Sequence, residues 1–184
     1  MSPPAADVSV RTAWPADARA IAAVQVAAWR QSYAKVLPSD VVESFDVDDF
    51  ATRWGAALAR PADARNRALV ALERTTVRGF AVTGPCADPD ADPAADGEIV
   101  ELVVEPGARG NGHGSRLLQA CADTLVQDRF TRALAWLTSN DDSGRAFLTA
   151  AGWAPDSAHR ELDLHGDGTV LVRQVRLHTD LRAA

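Results

Sequence analysis

The stretch Gly97–Leu118, GEIVELVVEPGARGNGHGSRLL, decides the fold, because it predicts a strand, a glycine-rich turn and a helix in immediate succession. Its first part is an almost continuous β-branched and apolar run, typical of a strand buried on both faces of a sheet. Pro106 and Gly107 end that strand, and a helical spacing of apolar residues begins at Leu117. The glycines leave backbone N–H groups uncovered at the helix start, where the helix dipole also favours an anion. The stretch therefore predicts a site for a phosphorylated ligand.

Spacing restricts the kind of phosphate loop. A P-loop requires G-x-x-x-x-G-K-[ST], and no lysine follows these glycines, so hydrolysis of ATP or GTP is disfavoured. The dinucleotide fingerprint G-x-G-x-x-G also fails, because its sixth position is Ser115 counted from Gly110 and Leu117 counted from Gly112. This disfavours a nucleotide-dependent oxidoreductase. A helix-capping glycine turn without a ligand remains the alternative interpretation.

Two motifs carry a resemblance to a known family. Arg109-x-x-Gly112-x-Gly114, placed between the strand and the helix, resembles the acetyl-CoA pyrophosphate loop of the GNAT N-acetyltransferase superfamily. The segment NDDSGRAFLTAAGW, from Asn140 to Trp153, resembles that family's second signature, a polar cap and a helix that ends in Gly-aromatic. Phe147 fits this pattern, whereas Leu148 stands where many members have tyrosine. The resemblance is strong between Gly97 and Trp153 and weak elsewhere.

The resemblance also covers the order of predicted elements, which is strand, two helices, three strands, helix, strand, helix and two strands. It implies an α/β (α+β) GNAT fold with a mixed seven-stranded central sheet flanked by about four helices. The strands that end at Val104 and Leu137 are expected to splay apart. We expect residues 1–7 to form a disordered tail and 8–182 a single GNAT domain, a length that can bury a sizeable core.

Three segments carry more local predictions. The second helix is expected to run irregularly from Ser39 to Arg60, and a terminal hairpin is expected from Arg160–Leu164 and Val170–Leu177. Between them, Gly84–Asp96 alternates prolines with aspartates, a composition that favours a mobile, solvated loop. A calcium loop is disfavoured in this segment, because glycine and glutamate are missing from the positions where such a loop requires them.

Composition limits the partners and the compartment. The chain has a net charge of −6 and a pI of about 5.1, so sequence-independent attraction to nucleic acid or anionic membrane is not expected. There is no apolar run of roughly 18 residues, and Met1–Asp7 lacks the features of a signal peptide. We therefore expect a cytoplasmic protein without nucleic-acid or membrane partners, and leave a homodimer open. Scattered histidines and two cysteines indicate no metal site.

The resemblance implies acetyl-CoA as co-substrate and assigns residues to it. Main-chain groups of three strand residues would pair with pantetheine as an added strand does, namely Leu102, Val103 and Val104. The loop would hold the pyrophosphate. Its residues are Arg109, Gly110, Asn111, Gly112, His113, Gly114 and Ser115, and Asn140 in the second signature is a further cofactor candidate.

The transfer needs a group that accepts a proton, because an amine with a pKa near 10 is mostly ammonium at neutral pH. A carboxylate can serve as that group. Glu98 and Glu101 lie on the central strand, and strand alternation points them to opposite faces unless a bulge intervenes. Glu98 lies eleven residues before Arg109, like the general base of some family members, so it is preferred and Glu101 is less favoured. The alternative for each is a solvated carboxylate at a strand end.

The acceptor and the leaving group need their own residues. Trp29 and Tyr33 lie one turn apart on the first predicted helix, and similar aromatic residues border the acceptor site in many family members. They are therefore substrate-binding candidates, or alternatively a buried pair that anchors the helix. Leu148 offers no proton, so the thiolate would take one from Tyr33, the only tyrosine, from Ser143 or from solvent.

The sequence thus predicts an acetyl-CoA-dependent N-acetyltransferase in which a primary amine attacks the thioester directly. A non-catalytic acyl-CoA-binding or sensor protein on the same fold is the alternative. Small amines, antibiotics, amino acids and protein N-termini all remain open as the acceptor.

Overall fold

The structure, a computed structural model, describes residues 8–163 and 168–183. The predicted tail, 1–7, lies outside the described residues, and so do 164–167 of the predicted terminal hairpin. Within the described part there are seven strands and five α-helices. In chain order they are β1 (Val8–Thr12), α1 (Ala18–Tyr33), α2 (Ser39–Glu43), α3 (Val47–Ala59), β2 (Arg67–Glu73), β3 (Thr76–Pro85), β4 (Asp96–Val104), α4 (His113–Gln127), β5 (Arg132–Thr138), α5 (Asp142–Ala150), β6 (Ala154–Asp163) and β7 (Leu171–Asp180).

The strands form one mixed sheet with the hydrogen-bonded order β1-β2-β3-β4-β5-β7-β6. β4 and β5 are parallel, whereas the pairs β1/β2, β2/β3, β5/β7 and β6/β7 are antiparallel. The predicted seven-stranded sheet and the terminal β6/β7 hairpin are therefore confirmed. Arg74, with a φ of 57°, turns the chain between the antiparallel strands β2 and β3.

The parallel pairing of β4 with β5 is short. It joins Asp96–Ile99 to Arg132–Ala135, although both strands continue beyond these residues. Val100, the next residue of β4, is 59% exposed despite its position on a central strand. The predicted splay of the two central strands is confirmed by this early end of the ladder. A strand that loses its neighbour leaves backbone N–H and C=O groups that a ligand can pair with.

The helices differ from the prediction in one place, because the segment after α1 forms two helices instead of one. α2 ends at Glu43, and Asp46 then starts α3 by accepting hydrogen bonds from the backbone N–H groups of Asp48 and Asp49 at 2.8 and 3.0 Å. A carboxylate that satisfies the first donors of a helix makes a new helix start favourable at that residue. None of the helices in 8–163 and 168–183 has both the length and the apolar character needed to cross a bilayer.

The chain divides into two compact units, and β4 and α4 contribute residues to both. We call residues 8–83 and 101–124 the N-terminal unit, and 84–100 and 125–183 the C-terminal unit. In the N-terminal unit, Ile21 and Val24 of α1 form a buried cluster with Val70 and Phe80 of the sheet. The Trp54 ring of α3 packs edge-on against Phe80, with 5.2 Å between the centroids.

The C-terminal unit buries the start of β4 and the middle of β5 and β7. Leu134 and Leu177 are fully enclosed there, as is Leu125 at the end of α4. Gly97 allows this packing, because a Cβ at that position would lie 2.5 Å from Leu125 and 3.0 Å from Phe130. A substitution at Gly97 would therefore force the end of α4 away from β4.

The loop between β3 and β4 is only in part the solvated segment that was predicted, because Asp90 and Asp92 are exposed whereas other residues of the segment are not. Cys86 and Asp96 are buried, and the Asp88 side chain is only 11% exposed. Asp96 accepts two hydrogen bonds from the Arg132 guanidinium, at 2.8 and 2.6 Å. Composition failed here because each buried aspartate has an arginine partner that is distant in the sequence.

Candidate active site

Glu101 lies in the N-terminal unit, where its carboxylate accepts a hydrogen bond on each oxygen. Trp29 Nε1 donates to Oε1 at 2.8 Å, and Gln25 Nε2 donates to Oε2 at 3.0 Å. Trp54 Nε1 donates in turn to Gln25 Oε1 at 2.8 Å, which fixes the orientation of the Gln25 amide. Burial raises the pKa of the Glu101 carboxyl, and the two accepted hydrogen bonds lower it by less.

Trp29 and Tyr33, the predicted substrate-side pair, are indeed adjacent on α1. Their rings meet edge-on with 5.7 Å between centroids, and Trp29 makes similar contacts with Phe45 and Phe50. Burial and then the nearby Glu101 carboxylate raise the pKa of the Tyr33 phenol, so it stays protonated at neutral pH. The structure thus brings a carboxylate, an indole and a phenol together in one unit.

Gln25 is the residue of this group that the sequence analysis missed. It lies on the apolar face of α1, one turn before Trp29, and is buried. A polar residue on a face of apolar residues at i and i+4 spacing is a signal that a buried partner is needed.

The predicted phosphate loop has the backbone that its glycines allow. Gly110 and Gly112 have φ angles of 82° and 86°, a region that side chains rarely adopt. A Cβ at either position would meet nothing within 4 Å, so the space beside the loop is open. α4 starts at His113, and its first N–H groups have no acceptor within the helix itself.

The side chains of this loop differ in their contacts. Arg109 is exposed and donates to Gln31 Oε1 of α1 at 3.0 Å, and Asn111 and Ser115 are also exposed. His113 is 1% exposed, and neither of its ring nitrogens has a hydrogen-bond partner among the described residues. An imidazole must carry at least one N–H, so this buried side chain has a donor that lacks an acceptor among the described residues.

Glu98 lies in the C-terminal unit, where its carboxyl is half-buried. Burial and then the Asp88 carboxylate raise its pKa, while Arg160 and a hydrogen bond with the Cys86 side chain oppose this shift. The Cys86 thiol itself is buried, and burial raises its pKa to about 12, so it stays a neutral thiol. Glu98 therefore has a pKa closer to neutrality than an exposed glutamate, which suits a general base.

The second signature forms α5 as predicted. Asp141, one of the polar residues before it, caps the helix by accepting from Gly144 N at 2.8 Å. Asn140 is exposed just before this cap, whereas Leu148 is buried within α5. Leu148 therefore has a packing role in the C-terminal unit. The sequence analysis also missed a polar group of that unit around Trp136 and Arg176, whose signal was the paired aspartates of the loop after β3.

Comparison with known families gives one match that covers most of the chain. The model described as the acetyltransferase (GNAT) family matches residues 23–153. Among curated proteins, the uncharacterized N-acetyltransferase YuaI of Bacillus subtilis (strain 168) is 28% identical over 141 residues, which cover 74% of this chain and 75% of that protein.

Solved structures with the same fold include two that carry a coenzyme. PaiA N-acetyltransferase from Thermoplasma acidophilum, in complex with coenzyme A, superposes with a TM-score of 0.69 at 14% identity and covers 95% of this chain and 99% of its own. YncA from Salmonella typhimurium, with its cofactor acetyl-CoA, gives a TM-score of 0.67 at 18% identity and covers 95% and 94%.

Proposed function

The chain belongs to the acetyltransferase (GNAT) family, and on that premise we propose that it transfers an acetyl group from acetyl-CoA to a primary amine. The observation that carries the proposal is the loop at the start of α4. Its two positive-φ glycines keep backbone N–H groups clear of side chains beside an open space. Helix N-termini of this kind bind phosphate groups, and coenzyme A carries a pyrophosphate.

The residues present fit this ligand. The open space beside Gly110 and Gly112 is what close approach of a phosphate requires. The loop from Arg109 through Ser115 is the proposed pyrophosphate site, and the main chain of Leu102, Val103 and Val104 is the proposed pantetheine site. Asn140 is proposed as a further cofactor contact. Bound acetyl-CoA would supply an activated acetyl group as its thioester.

In the proposed reaction, the nitrogen lone pair of the acceptor attacks the thioester carbonyl. A C–N bond forms, the C–S bond breaks, and the amine loses a proton. Glu98, directly or through a water, is the proposed acceptor of that proton, and Glu101 is the alternative. Both oxygens of Glu101 already accept a hydrogen bond, which suits a fixed positioning role better than proton exchange.

Trp29 and Tyr33 are proposed to line the acceptor site. The phenol of Tyr33 keeps its proton at neutral pH, so it can donate that proton to the departing thiolate. Solvent and Ser143 are the alternatives. Leu148 takes no part in proton transfer, because leucine has no exchangeable proton on its side chain.

The remaining proposals concern the location, the domain organisation and the partners of the enzyme. We expect the enzyme to act in the cytoplasm, with residues 8–182 working as one domain and a homodimer left open. The family match supports the domain assignment, because 23–153 includes residues of both compact units. The net charge of −6 disfavours binding to nucleic acid and to anionic membrane.

Acetyl-CoA is expected to stabilise the folded chain. A ligand that binds only the native state adds about 2.7 kcal/mol at a hundredfold excess over Kd. A thermal scan should show a higher Tm with acetyl-CoA than with NAD or ATP. A Tm that acetyl-CoA leaves unchanged, or that NAD raises equally, contradicts the cofactor assignment.

Turnover then separates an enzyme from a binding module. Release of the CoA thiol should depend on an added primary amine. If acetyl-CoA raises the Tm but no amine of a broad panel releases the thiol, the chain is a non-catalytic acyl-CoA-binding protein.

A further inference from the structure

A pocket of about 390 Å³ lies in the C-terminal unit, and the assignments above do not use it. We call it the Trp136 pocket. Its volume falls within the roughly 300–1,000 Å³ of small-molecule sites. Its walls come from the loop after β3 and from three strands, and they include Asp88, Asp90, Trp136, Ser157, Arg160 and Arg176.

One wall is shaped by an irregularity of β6. Its pairing with β7 steps from Pro155↔Leu177 to His159↔Val175, so three residues of β6 stand opposite Arg176 alone. Ser157, in the middle of this bulge, has a φ of 71°. A serine in this region is strained, and strained backbone within a bulge is common where a strand adapts to a ligand.

Two guanidinium groups of the protein itself lie against the aromatic ring of the pocket. The guanidinium carbons of Arg160 and Arg176 lie 4.2 and 5.5 Å from the centroid of the Trp136 ring. The indole Nε1 donates to Asp88 Oδ2 at 2.9 Å, which fixes the ring beside a carboxylate. An aromatic face next to a carboxylate favours cations over neutral groups of the same shape.

The two arginines are held very differently. Arg176 has a side chain that is 6% exposed and donates to Asp88, Asp90 and Asp156 at 2.6 to 3.0 Å, so it is a fixed part of the wall. The Arg160 side chain is 36% exposed, and its contact with Asp88 is longer, at 3.5 Å. Its one short hydrogen bond among these contacts is the one that it donates to Gln174 at 2.7 Å. A cation from solution can therefore compete with Arg160 for the ring.

The charges of the pocket also act on the proposed base. Glu98 feels the charges of Asp88, Arg160 and Arg176, all of which line the pocket. Four carboxylates, from Asp88, Asp90, Asp156 and Glu98, face the two guanidinium groups, which leaves an excess of negative charge in the group.

We infer that the Trp136 pocket binds a second cationic group of the acceptor, so that the substrate class is a primary amine with a guanidinium or ammonium group a few carbons away. That the bound amine is the acetyl acceptor rests on the proposed function. Binding of a cation in the pocket does not depend on it. Trp136 supplies the aromatic face, Asp88 and Asp90 supply negative charge, and Arg160 moves aside.

Two isosteric amines test this directly. Agmatine ends in a guanidinium group and N-carbamoylputrescine in a neutral urea, and both carry the same primary amine on the same chain. Isothermal titration of the full chain, with CoA present so that no transfer occurs, should give roughly tenfold tighter binding of agmatine. Equal affinities, or no binding of either amine, overturn the inference.

Substitutions then locate the binding. Trp136→Leu should abolish the preference for agmatine, whereas Trp136→Phe, which keeps an aromatic face, should retain part of it. Trp14→Leu is the matched control, because the Arg11 guanidinium also lies 3.9 Å above the Trp14 ring, but Trp14 is not part of the pocket. A preference that survives in folded Trp136→Leu, or that Trp14→Leu removes, places the cation elsewhere and overturns the inference.

The outcome is separable from that of the proposed function. If acetyl-CoA raises the Tm and amines release thiol without a preference for a second cation, acetyl transfer stands and the inference fails. If agmatine binds at Trp136 but acetyl-CoA has no effect on the Tm, the pocket stands and acetyl transfer fails.

Discussion

Glu98 and Glu101 are the two carboxylates of β4 with raised pKa values, and they differ in their neighbours. Glu101 is held by Trp29 and Gln25, so its oxygens are occupied. Glu98 has the Cys86 thiol and the charges of the Trp136 pocket around it. This difference leads to different expectations for the same Glu→Gln substitution.

For catalysis, Glu98→Gln is expected to lower kcat/KM by about 10²- to 10⁴-fold near pH 7, the usual contribution of a general base. The loss should shrink as the pH rises, because more of the amine is then neutral without help. In the wild type, kcat/KM should fall once the pH drops below the raised pKa of Glu98. The pH profiles of wild type, Glu98→Gln and Glu101→Gln measure this, and an impaired Glu101→Gln beside an unaffected Glu98→Gln transfers the role to Glu101.

For stability, Glu98→Gln should raise the Tm at neutral pH. A carboxyl whose folded pKa is raised destabilises the fold above that pKa and has no effect below its ordinary value of 4.5. The gain should therefore vanish in a scan near pH 4. If Glu98→Gln lowers the Tm equally at both pH values, the buried charge of Glu98 does not destabilise the fold and the prediction is wrong.

Glu101→Gln should be less stable than Glu98→Gln at neutral pH, by about 1–3 kcal/mol, although burial raises the pKa of both carboxyls and both substitutions remove that buried charge. A glutamine can accept from Trp29 or from Gln25, but its own NH₂ group then faces the other donor, which is left unpaired. Urea unfolding of the two variants side by side measures this difference. A Glu101→Gln variant as stable as Glu98→Gln would mean that both of these donors find an acceptor.

At the scale of elements, the turn from β4 into α4 is the part most sensitive to backbone change. Gly112→Ala should weaken CoA binding, because a Cβ is strained at a φ of 86° and would occupy the open space beside the loop. Gly107→Ala is the matched control, since Gly107 lies in the same connection with open space around it and no positive φ. Calorimetry on folded variants should show a lower CoA affinity for Gly112→Ala only, and unchanged affinity would place the pyrophosphate elsewhere.

The early end of the β4/β5 ladder is the other feature at this scale. The pairing of Ile99 with Ala135 is the last one in the register, and β5 continues through Thr138 with β7 on its other side. A single neighbour is enough to keep β5 in the sheet while its other edge stays open. The fold therefore provides an unpaired strand edge at the proposed pantetheine site without losing the sheet.

At the scale of the whole molecule, the ion pairs of Arg176 predict an acid limit to stability. The guanidinium lowers the pKa of Asp90 to about 2. A carboxyl with a lowered folded pKa contributes stability above its ordinary value of 3.8, and that stability is lost as the pH falls toward the folded pKa. The urea midpoint of the wild type should therefore drop between roughly pH 4 and 2.

Arg176→Leu should remove part of this acid dependence and destabilise the fold at pH 7 by about 3 kcal/mol, because it removes the guanidinium that pairs with the mostly buried carboxylates of Asp88 and Asp156. Arg173→Leu is the control on the same strand, since its ion pair with Glu161 is exposed and should contribute no more than about 1 kcal/mol. Urea unfolding at several pH values compares them. Equal effects of the two variants would show that the Arg176 cluster contributes no more than a surface pair.

The sequence by itself determined the features that depend on neighbours along the chain. The strand, glycine turn and helix from Gly97 to Leu118 formed as predicted, and so did the β6/β7 pair and the cap of α5. Hydrophobic periodicity, turn chemistry and capping are local, so a one-dimensional pattern contains them. The break before α3 was local too, and Asp46 three residues before Asp49 was its overlooked signal.

Only the tertiary structure decided which distant residues meet. Gln25 and Glu101 are 76 positions apart, and Arg176 is 88 positions from Asp88, yet each pair shares a hydrogen bond. Such contacts follow from strand order, register and helix packing, which no local pattern contains. The same register placed a bulge at Ser157 and built the Trp136 pocket from four separate segments. The burial of Asp88 in the loop after β3 was missed for this reason, because Asp88 becomes buried only when β7 brings Arg176 to it.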